Sequence, residues 1–405
     1  MALIFCEGFE ESRVINGNTV SDLPDIWEFV SGSGYSFVAN NGRSGYGSAR
    51  LNTDTTEITK LKFKLDTLGT QSGKTLYVGF AVYHMQSTPG TQGTTLPHRL
   101  VTCFNTAGTE VLQVSVKKEA ASDISMRLVI GQAGTVFAEY ALTDLAFTST
   151  TDGANPYIYF SSWVYLEFKI DLVENEFTLR VNGIPKVVVA TSSAESTYTT
   201  AISEIAAIQF HGNTNTATNN DTYIDDFYLI DNTGDSSNAW LGPCRVMTPA
   251  FTYGNFPLGE VWDSAKQSSW PSDLESNNGD SSFVSSGTTG KKQLIGLMTT
   301  NLNLGANTIA LSDDEYIAAV QLNTVLRKTN LDAAVKPIYK SATDTYHDLG
   351  PSIAIAGQPF ENYRSQIFVA HKNPATNTNW NLTEVASASP TAANIGFGLQ
   401  IVDPA

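Results

Sequence analysis

Cysteine is scarce in this sequence: Cys6, Cys103 and Cys244 are the only three in 405 residues, far apart and odd in number. That excludes a disulfide framework or a CxxC metal knuckle and leaves them as small buried hydrophobes. Histidine is almost as sparse. His84, His98, His211, His347 and His371 never fall at the close spacing of a zinc site, and each reads as a surface or loop residue. Basic side chains number 24 against 40 acidic ones, a net charge of −16 that repels phosphate backbones and anionic membranes. No nucleic acid and no membrane partner is expected. No run approaches the roughly 20 apolar residues of a membrane span. The opening MALIFCEGFEESR has no basic segment ahead of its brief apolar run. It is not expected to act as a secretory signal, so synthesis in a cytoplasm is expected. Heptads that would mark a coiled-coil shaft are missing as well.

What is present suits packed cores. Hydrophobic residues make up 41% and aromatics 10%, with only 16% charged, which argues for a folded chain. The length exceeds one ordinary hydrophobic core, so two domains are expected. Strand signals dominate at Leu76 to Tyr83, Ser125 to Ile130, Val164 to Leu172, Glu176 to Val181 and Thr222 to Ile230, segments rich in β-branched and aromatic residues. The short AISEIAAI at Ala201 also reads as strand. Clusters of Gly, Asn, Ser and Thr such as NNGRSGYG and GNTNTATNND supply the turns. Many short strands without alternating helices predict an all-β chain built on a jelly-roll sandwich. Strand signals fade after Ile230 and return at Lys291 to Met298, Tyr316 to Arg327, Ala334 to Tyr339, Tyr363 to Val369 and Ile395 to Val402. The expected division is a jelly roll over 1–240, an extended aromatic-containing connector over 241–290, and a second, smaller β-sandwich over 291–405.

Catalytic signatures are missing where a sandwich would carry them. A glucanase needs carboxylates at alternate positions on one strand face, so that acid and nucleophile flank one glycosidic bond. The nearest run, Glu167, Asp171 and Glu174, has its third member at an odd offset. It reads as solvated edge carboxylates, and no hydrolase activity is expected. The segment Gly69 to Thr75 (GTQSGKT) has three residues between its glycines where a phosphate loop needs four, so it reads as a turn. One acidic constellation stands out: Glu7, Glu10 and Glu11 in the first strand, and Asp225 and Asp226 in the last strand of the first domain. First and last strands are often neighbours in a jelly roll, so Glu10 and Asp226 are candidate oxygen ligands for a structural calcium, the one cofactor considered. Tyr35 and Tyr46, in Gly-rich loops, are candidates to stack on a sugar face. Phe251, Tyr253, Phe256, Trp262 and Trp270 crowd a non-periodic stretch and are candidate interface anchors.

The strings MALIFCEGFEE, GRSGYGSARL from Gly42, LYVGFAVY, WVYLEFKIDL with EFTLRVNGIPKVVV from Trp163, and YIDDFYLID from Tyr223 resemble the laminin-G-like, concanavalin-type domain of phage virion proteins. The resemblance continues through AWLGPCRVMTPAF at Ala239, EYIAAVQLNTVLRKTN at Glu315 and NIGFGLQIV at Asn394. It implies a structural component of a tailed-phage virion, made in the host cytoplasm. A tail-associated fibre or tip protein acting in adhesion or assembly comes first, and a capsid decoration or head fibre second. A cellular carbohydrate-binding lectin is the third reading. The resemblance further implies other virion proteins as partners, a host surface glycan as a candidate ligand, and a homo-oligomer, for which a trimer is the usual symmetry.

Overall fold

In the computed structural model the chain divides into two units, Met1–Met247 and Thr248–Ala405. In the first, the structure describes residues 3–9, 26–31, 35–38, 42–43, 47–51, 60–65, 68–69, 71–84, 98–118, 126–132, 135–141, 147–152, 155–160, 162–174, 176–190, 202–212, 222–234 and 238–247. In the second it describes 251–252, 263–264, 284–286, 288–297, 315–327, 334–355, 364–385 and 395–403.

Alternation of apolar and polar side chains writes most of the first unit. Its strands are β1 (Leu3–Glu7), β2 (Trp27–Ser31), β3 (Tyr35–Val38), β4 (Ser48–Leu51), β5 (Lys60–Lys64), β6 (Gln71–Ser72) and β7 (Thr75–His84). Then come β8 (His98–Phe104), β9 (Glu110–Lys118), β10 (Met126–Gln132), β11 (Thr135–Ala141), β12 (Phe147–Asp152) and β13 (Asn155–Phe160). The last six are β14 (Val164–Asp171), β15 (Glu176–Val181), β16 (Ile184–Ala190), β17 (Glu204–Ile205), β18 (Ala207–His211) and β19 (Thr222–Asp231). One sheet runs β16-β15-β14-β7-β19-β4-β3, with β1 also paired to β19. The second runs β11-β10-β9-β8-β18-β5-β2. Every pairing between described strands is antiparallel.

The two sheets face each other through aromatic rings. Phe227 of β19 lies 5.0 to 6.1 Å, centroid to centroid, from Phe5, Trp27, Phe63 and Phe210, and Phe80 of β7 meets Phe210 edge-on at 5.0 Å. Each such ring, once buried, is worth about 1.5–3 kcal/mol of apolar transfer. This is a β-sandwich, as the pattern predicts. Within AISEIAAI, Glu204–Ile205 form β17 and Ala207–Ile208 begin β18, while Ala201 lies outside the described residues. Asn182 and Gly183 close the β15–β16 hairpin with φ of 51° and 79°, the paired left-handed values that a two-residue hairpin turn requires.

The second unit is also layered β structure. It contains β20 (Phe251–Thr252), β21 (Asp263–Ser264), β22 (Val284–Ser285), β23 (Lys292–Leu297), β24 (Val320–Leu326) and β25 (Ala334–Lys340). It continues with β26 (Tyr346–Asp348), β27 (Ile353–Ala354), β28 (Arg364–Ala370), the single helical turn α1 (Leu382–Val385) and β29 (Gly396–Val402). The sheet β20-β23-β29-β25-β26, with β27 on β25, is covered by the ribbon β24–β28. Leu322 and Leu326 of β24 and Phe368 of β28 pack there on Val335 and Leu399. Trp380 meets the ring of Tyr339 edge-on at 5.1 Å and donates its indole N–H to the carbonyl of Ala370 at 2.9 Å. Asn381 and Glu384 cap α1 reciprocally: Asn381 Oδ1 accepts the Glu384 amide and Glu384 Oε2 accepts the Asn381 amide. Among the described residues no helix is long and apolar enough to cross a membrane.

Candidate functional site

The outer face of the first sheet gathers buried polar side chains, Glu167, Asp225 and Asp226 among them. Along β14, Leu166, Phe168 and Ile170 enter the core, so Tyr165, Glu167 and Lys169 face the other way. On β7 the outward position between them is Gly79, which is paired with Glu167 on one side and Tyr228 on the other. A Cβ on Gly79 would sit 2.2 Å from Tyr228 Cε1. The missing side chain lets the Tyr228 ring lie across β7, and its hydroxyl donates to Glu167 Oε1 at 2.6 Å. Glu167 is therefore fully buried on an interior strand. This corrects its reading as a solvated edge carboxylate: alternation assigned the face but could not show that the face is covered.

The cover is the stretch 238–247, which follows β19 and lies back over the sheet as a strap. Trp240 is held between Tyr77, edge-on at 5.2 Å, and the guanidinium of Arg180, 4.2 Å from its ring centroid. The Gly242 amide donates to Glu167 Oε1 at 2.8 Å. Cys244 Sγ lies 3.0 Å from the Tyr165 hydroxyl, and the Val246 amide donates to Asp226 Oδ1 at 2.8 Å. The unit thus ends at Met247, beyond the boundary expected at 240, because side chains of the sandwich bind residues 240–246.

Asp225 and Asp226 sit where the register of β19 shifts, and Asp226 takes a φ of 50°. At this bulge β19 changes neighbours, from β4 at Thr222–Ile224 to β1 at Phe227–Ile230. First and last strands are paired here. The two carboxylates meet Arg43 rather than each other's faces. Arg43 Nη1 donates to Asp226 Oδ2 at 2.9 Å and to the Cys244 carbonyl at 2.6 Å, and the Arg43 amide donates to Asp225 Oδ2 at 2.8 Å. Its guanidinium also lies 4.9 Å from the Tyr165 ring centroid. Burial raises the Asp226 carboxyl above its ordinary range, against the lowering by the Val246 amide and Arg43. Burial likewise raises Glu167, opposed by Tyr228 and Gly242, and pushes the Cys244 thiol up to about 12. A thiol so held is neutral and not a nucleophile.

These contacts decide what the site can do. Where a calcium between Glu10 and Asp226 is the expectation from sequence, a guanidinium holds Asp226, and Glu10 lies outside the described residues. Glu7 turns its Oε1 to the Phe9 amide at 2.9 Å. Among the described residues no group of three His, Cys, Asp or Glu is placed to hold a metal ion. Tyr46, Tyr253, Phe256, Trp262 and Trp270 fall outside the described residues, and of Tyr35 and Phe251 only the backbone is described, in β3 and β20. Lys74, the lysine of the GTQSGKT segment, is paired to Asp231 at 2.9 Å. His211 is buried, within hydrogen-bond distance of Thr102 and Gln209, which corrects its reading as a surface residue. Cys103 is buried, while Cys6 and Cys244 are half-buried. Sequence reasoning missed Arg43, Gly79 and the strap; the one available signal was Gly79 itself, a glycine inside a strong strand pattern.

No family model and no curated protein sequence matches the chain. Solved structures give distant likenesses. The binding domain of Paraclostridial Mosquitocidal Protein 1 is 16% identical at a TM-score of 0.36, over 82% of this chain and 72% of that one. The CBM2 module of the evolved Dit of Lactobacillus casei BL23 phage J-1 is 9% identical at 0.34, over 56% of this chain and 95% of that one. The binding domain of botulinum neurotoxin serotype D is 10% identical at 0.33, over 50% of this chain, which spans only 42% of that domain. At TM-scores below 0.5, none of these assigns the chain a family or an activity.

Proposed function

We propose that the chain is a non-enzymatic structural component of a tailed-phage virion, tail-associated, acting in adhesion or assembly. The observation that carries this reading is the sealed outer face of the first sheet. Glu167, Asp225 and Asp226, the carboxylates gathered there, are bonded to Tyr228, Arg43 and backbone amides, while Glu167 Oε2 is buried with no partner among the described residues. A general acid and base need access to a substrate; these groups instead fasten a strap. Such a face is a rigid scaffold, and adhesive modules place binding on what the scaffold supports. The order of the phage-like strings along both units supports the virion assignment, and the net charge of −16 disfavours a role on nucleic acid.

Immunogold labelling of purified particles tests the placement. Label at the tail is expected. Label over the head would move the protein to capsid decoration, and its absence from washed particles would overturn the virion role and return the lectin reading. The purified chain should release no reducing ends from host polysaccharide; release abolished by Glu167→Gln would overturn the non-enzymatic reading.

A further inference from the structure

The outer face of the second sheet has a different character. On β5, Leu61 and Phe63 are fully buried in the core, so Lys60, Lys62 and Lys64 alternate onto the outer face, each half-buried. Antiparallel register sets Lys60 beside His211, Lys62 beside Gln209 and Lys64 beside Ala207. The row through Lys62 continues across the sheet: Glu28 on β2, Lys62, Gln209, Thr102 on β8 and Gln113 on β9. Thr102, Gln113, Ser115, Gln209 and His211 form a buried polar floor beside the lysines. The Gln113 carbonyl oxygen is buried there with no hydrogen-bond partner among the described residues.

None of the three lysines has an ion-pair partner among the described residues. Glu28 lies opposite Lys62 in register but makes no bridge to it, and Lys62 Nζ instead sits 5.8 Å from the Phe104 ring centroid. This contrasts with Lys74, Lys169 and Lys336, each paired to a carboxylate in a chain where acids outnumber bases 40 to 24. Successive lysines on one strand face stand roughly 6.6–6.8 Å apart, so the three make a line of about 13 Å. A line of point charges fits an extended polyanion better than a single small anion. Beside it Thr102 and Gln209 lie within hydrogen-bond distance of His211 and the Gln113 amide donates to the Ser115 hydroxyl, so contact with a ligand falls to the lysines.

We propose that this face binds a carboxylate-bearing polysaccharide, with Lys60, Lys62 and Lys64 holding the acid groups. The proposal rests on the adhesive role given above and names its ligand class. A sparse polyanion suits the site because the net charge of −16 would repel a densely charged nucleic acid.

Binding of the full chain to polygalacturonate, with neutral dextran as control, is measured by biolayer interferometry at low and high salt. The wild type should bind polygalacturonate, not dextran, and weaken with salt. The triple variant Lys60→Gln, Lys62→Gln, Lys64→Gln should lose roughly tenfold or more in affinity, as expected for removal of a steering stripe, with an unchanged melting temperature. Lys336→Gln, in the other unit, should bind as wild type. Equal binding by the triple variant, or none by the wild type, overturns the proposal. So does a salt-sensitive self-association that the triple variant loses while the wild type ignores polygalacturonate. Incorporation into particles separates the two readings: a wild type that assembles normally yet binds no polygalacturonate removes the ligand and leaves the virion role standing.

Discussion

Replacing Gly79 by alanine tests the packing on which the sealed face depends. The new Cβ would lie 2.2, 2.6 and 2.8 Å from three atoms of the Tyr228 ring, where no real Cβ sits. Neither side can yield cheaply. Gly79 is paired on both edges, to β14 and β19, and Tyr228 has no exposed surface. Overpacking of this kind costs about 1–3 kcal/mol. If the ring is pushed off β7, its bond to Glu167 is lost too, and a hydrogen bond to a charged group is worth roughly 1.5–3 kcal/mol. The total is about 2.5–6 kcal/mol. For a unit of this size each kcal/mol moves the midpoint by roughly 2–4 °C, so even about 3 kcal/mol lowers it by about 6–12 °C. Thermal unfolding followed by near-ultraviolet dichroism reads this directly. Tyr228→Ala removes the ring and costs about 3–5 kcal/mol alone, but Gly79→Ala added to it should cost nothing further. A Gly79→Ala midpoint within about 1 °C of wild type, or full additivity in the double variant, would refute the crossing of Tyr228 over β7.

Three further outcomes follow from the same contacts. Arg43→Met strands the buried Asp226 carboxylate and should cost about 3–5 kcal/mol in urea unfolding; adding Asp226→Asn should recover much of it, and no recovery would mean that Arg43 acts through something other than its charge. Burial raises the Glu167 carboxyl, so the folded state holds that proton more tightly than the unfolded chain. Stability should then fall as pH rises from the ordinary glutamate value through the raised one, and Glu167→Gln, already neutral, should flatten that slope in melting curves. Asp171 behaves oppositely: burial would raise it, but the Glu174 and Val173 amides and the Thr75 hydroxyl outweigh burial and lower it. Its contribution is present above the ordinary aspartate value and disappears as pH falls through the lowered one; Asp171→Asn should remove this acid dependence, and an unchanged acid limb would contradict it.

The fold class was legible because alternation is a local signal. β7, β14, β15 and β19 begin or end within a residue of the segments chosen by their β-branched and aromatic content, and β23, β25 and β29 of the second unit stand where strand signals resume. Lys60–Lys64 alternates perfectly, yet its three lysines dilute the hydrophobicity of the segment while Leu61 and Phe63 anchor it in the core. The site was legible only in part. Asp225 and Asp226 stand out in the sequence as paired acids, but their partner Arg43 lies more than 180 positions away, at a distance no spacing rule spans. Glu167 could be assigned a face, yet whether that face meets water depends on residues 240–246.

The strap also shows why composition misjudges where a β unit ends. Residues 240–246 have no strand alternation and carry Gly242 and Pro243, so a reader of local pattern places them in a linker. Their backbone amides need acceptors once they lie against the sheet, and the sandwich supplies these as carboxylates, Glu167 to Gly242 and Asp226 to Val246. Those carboxylates in turn would be costly to bury without donors. Gly242 takes a φ of 77°, a conformation that turns the strap between its tryptophan and its thiol and that a larger residue resists. Each half of the arrangement therefore removes a penalty created by the other. A strap whose removal would uncover two tyrosines and two carboxylates belongs to the folded unit as its strands do.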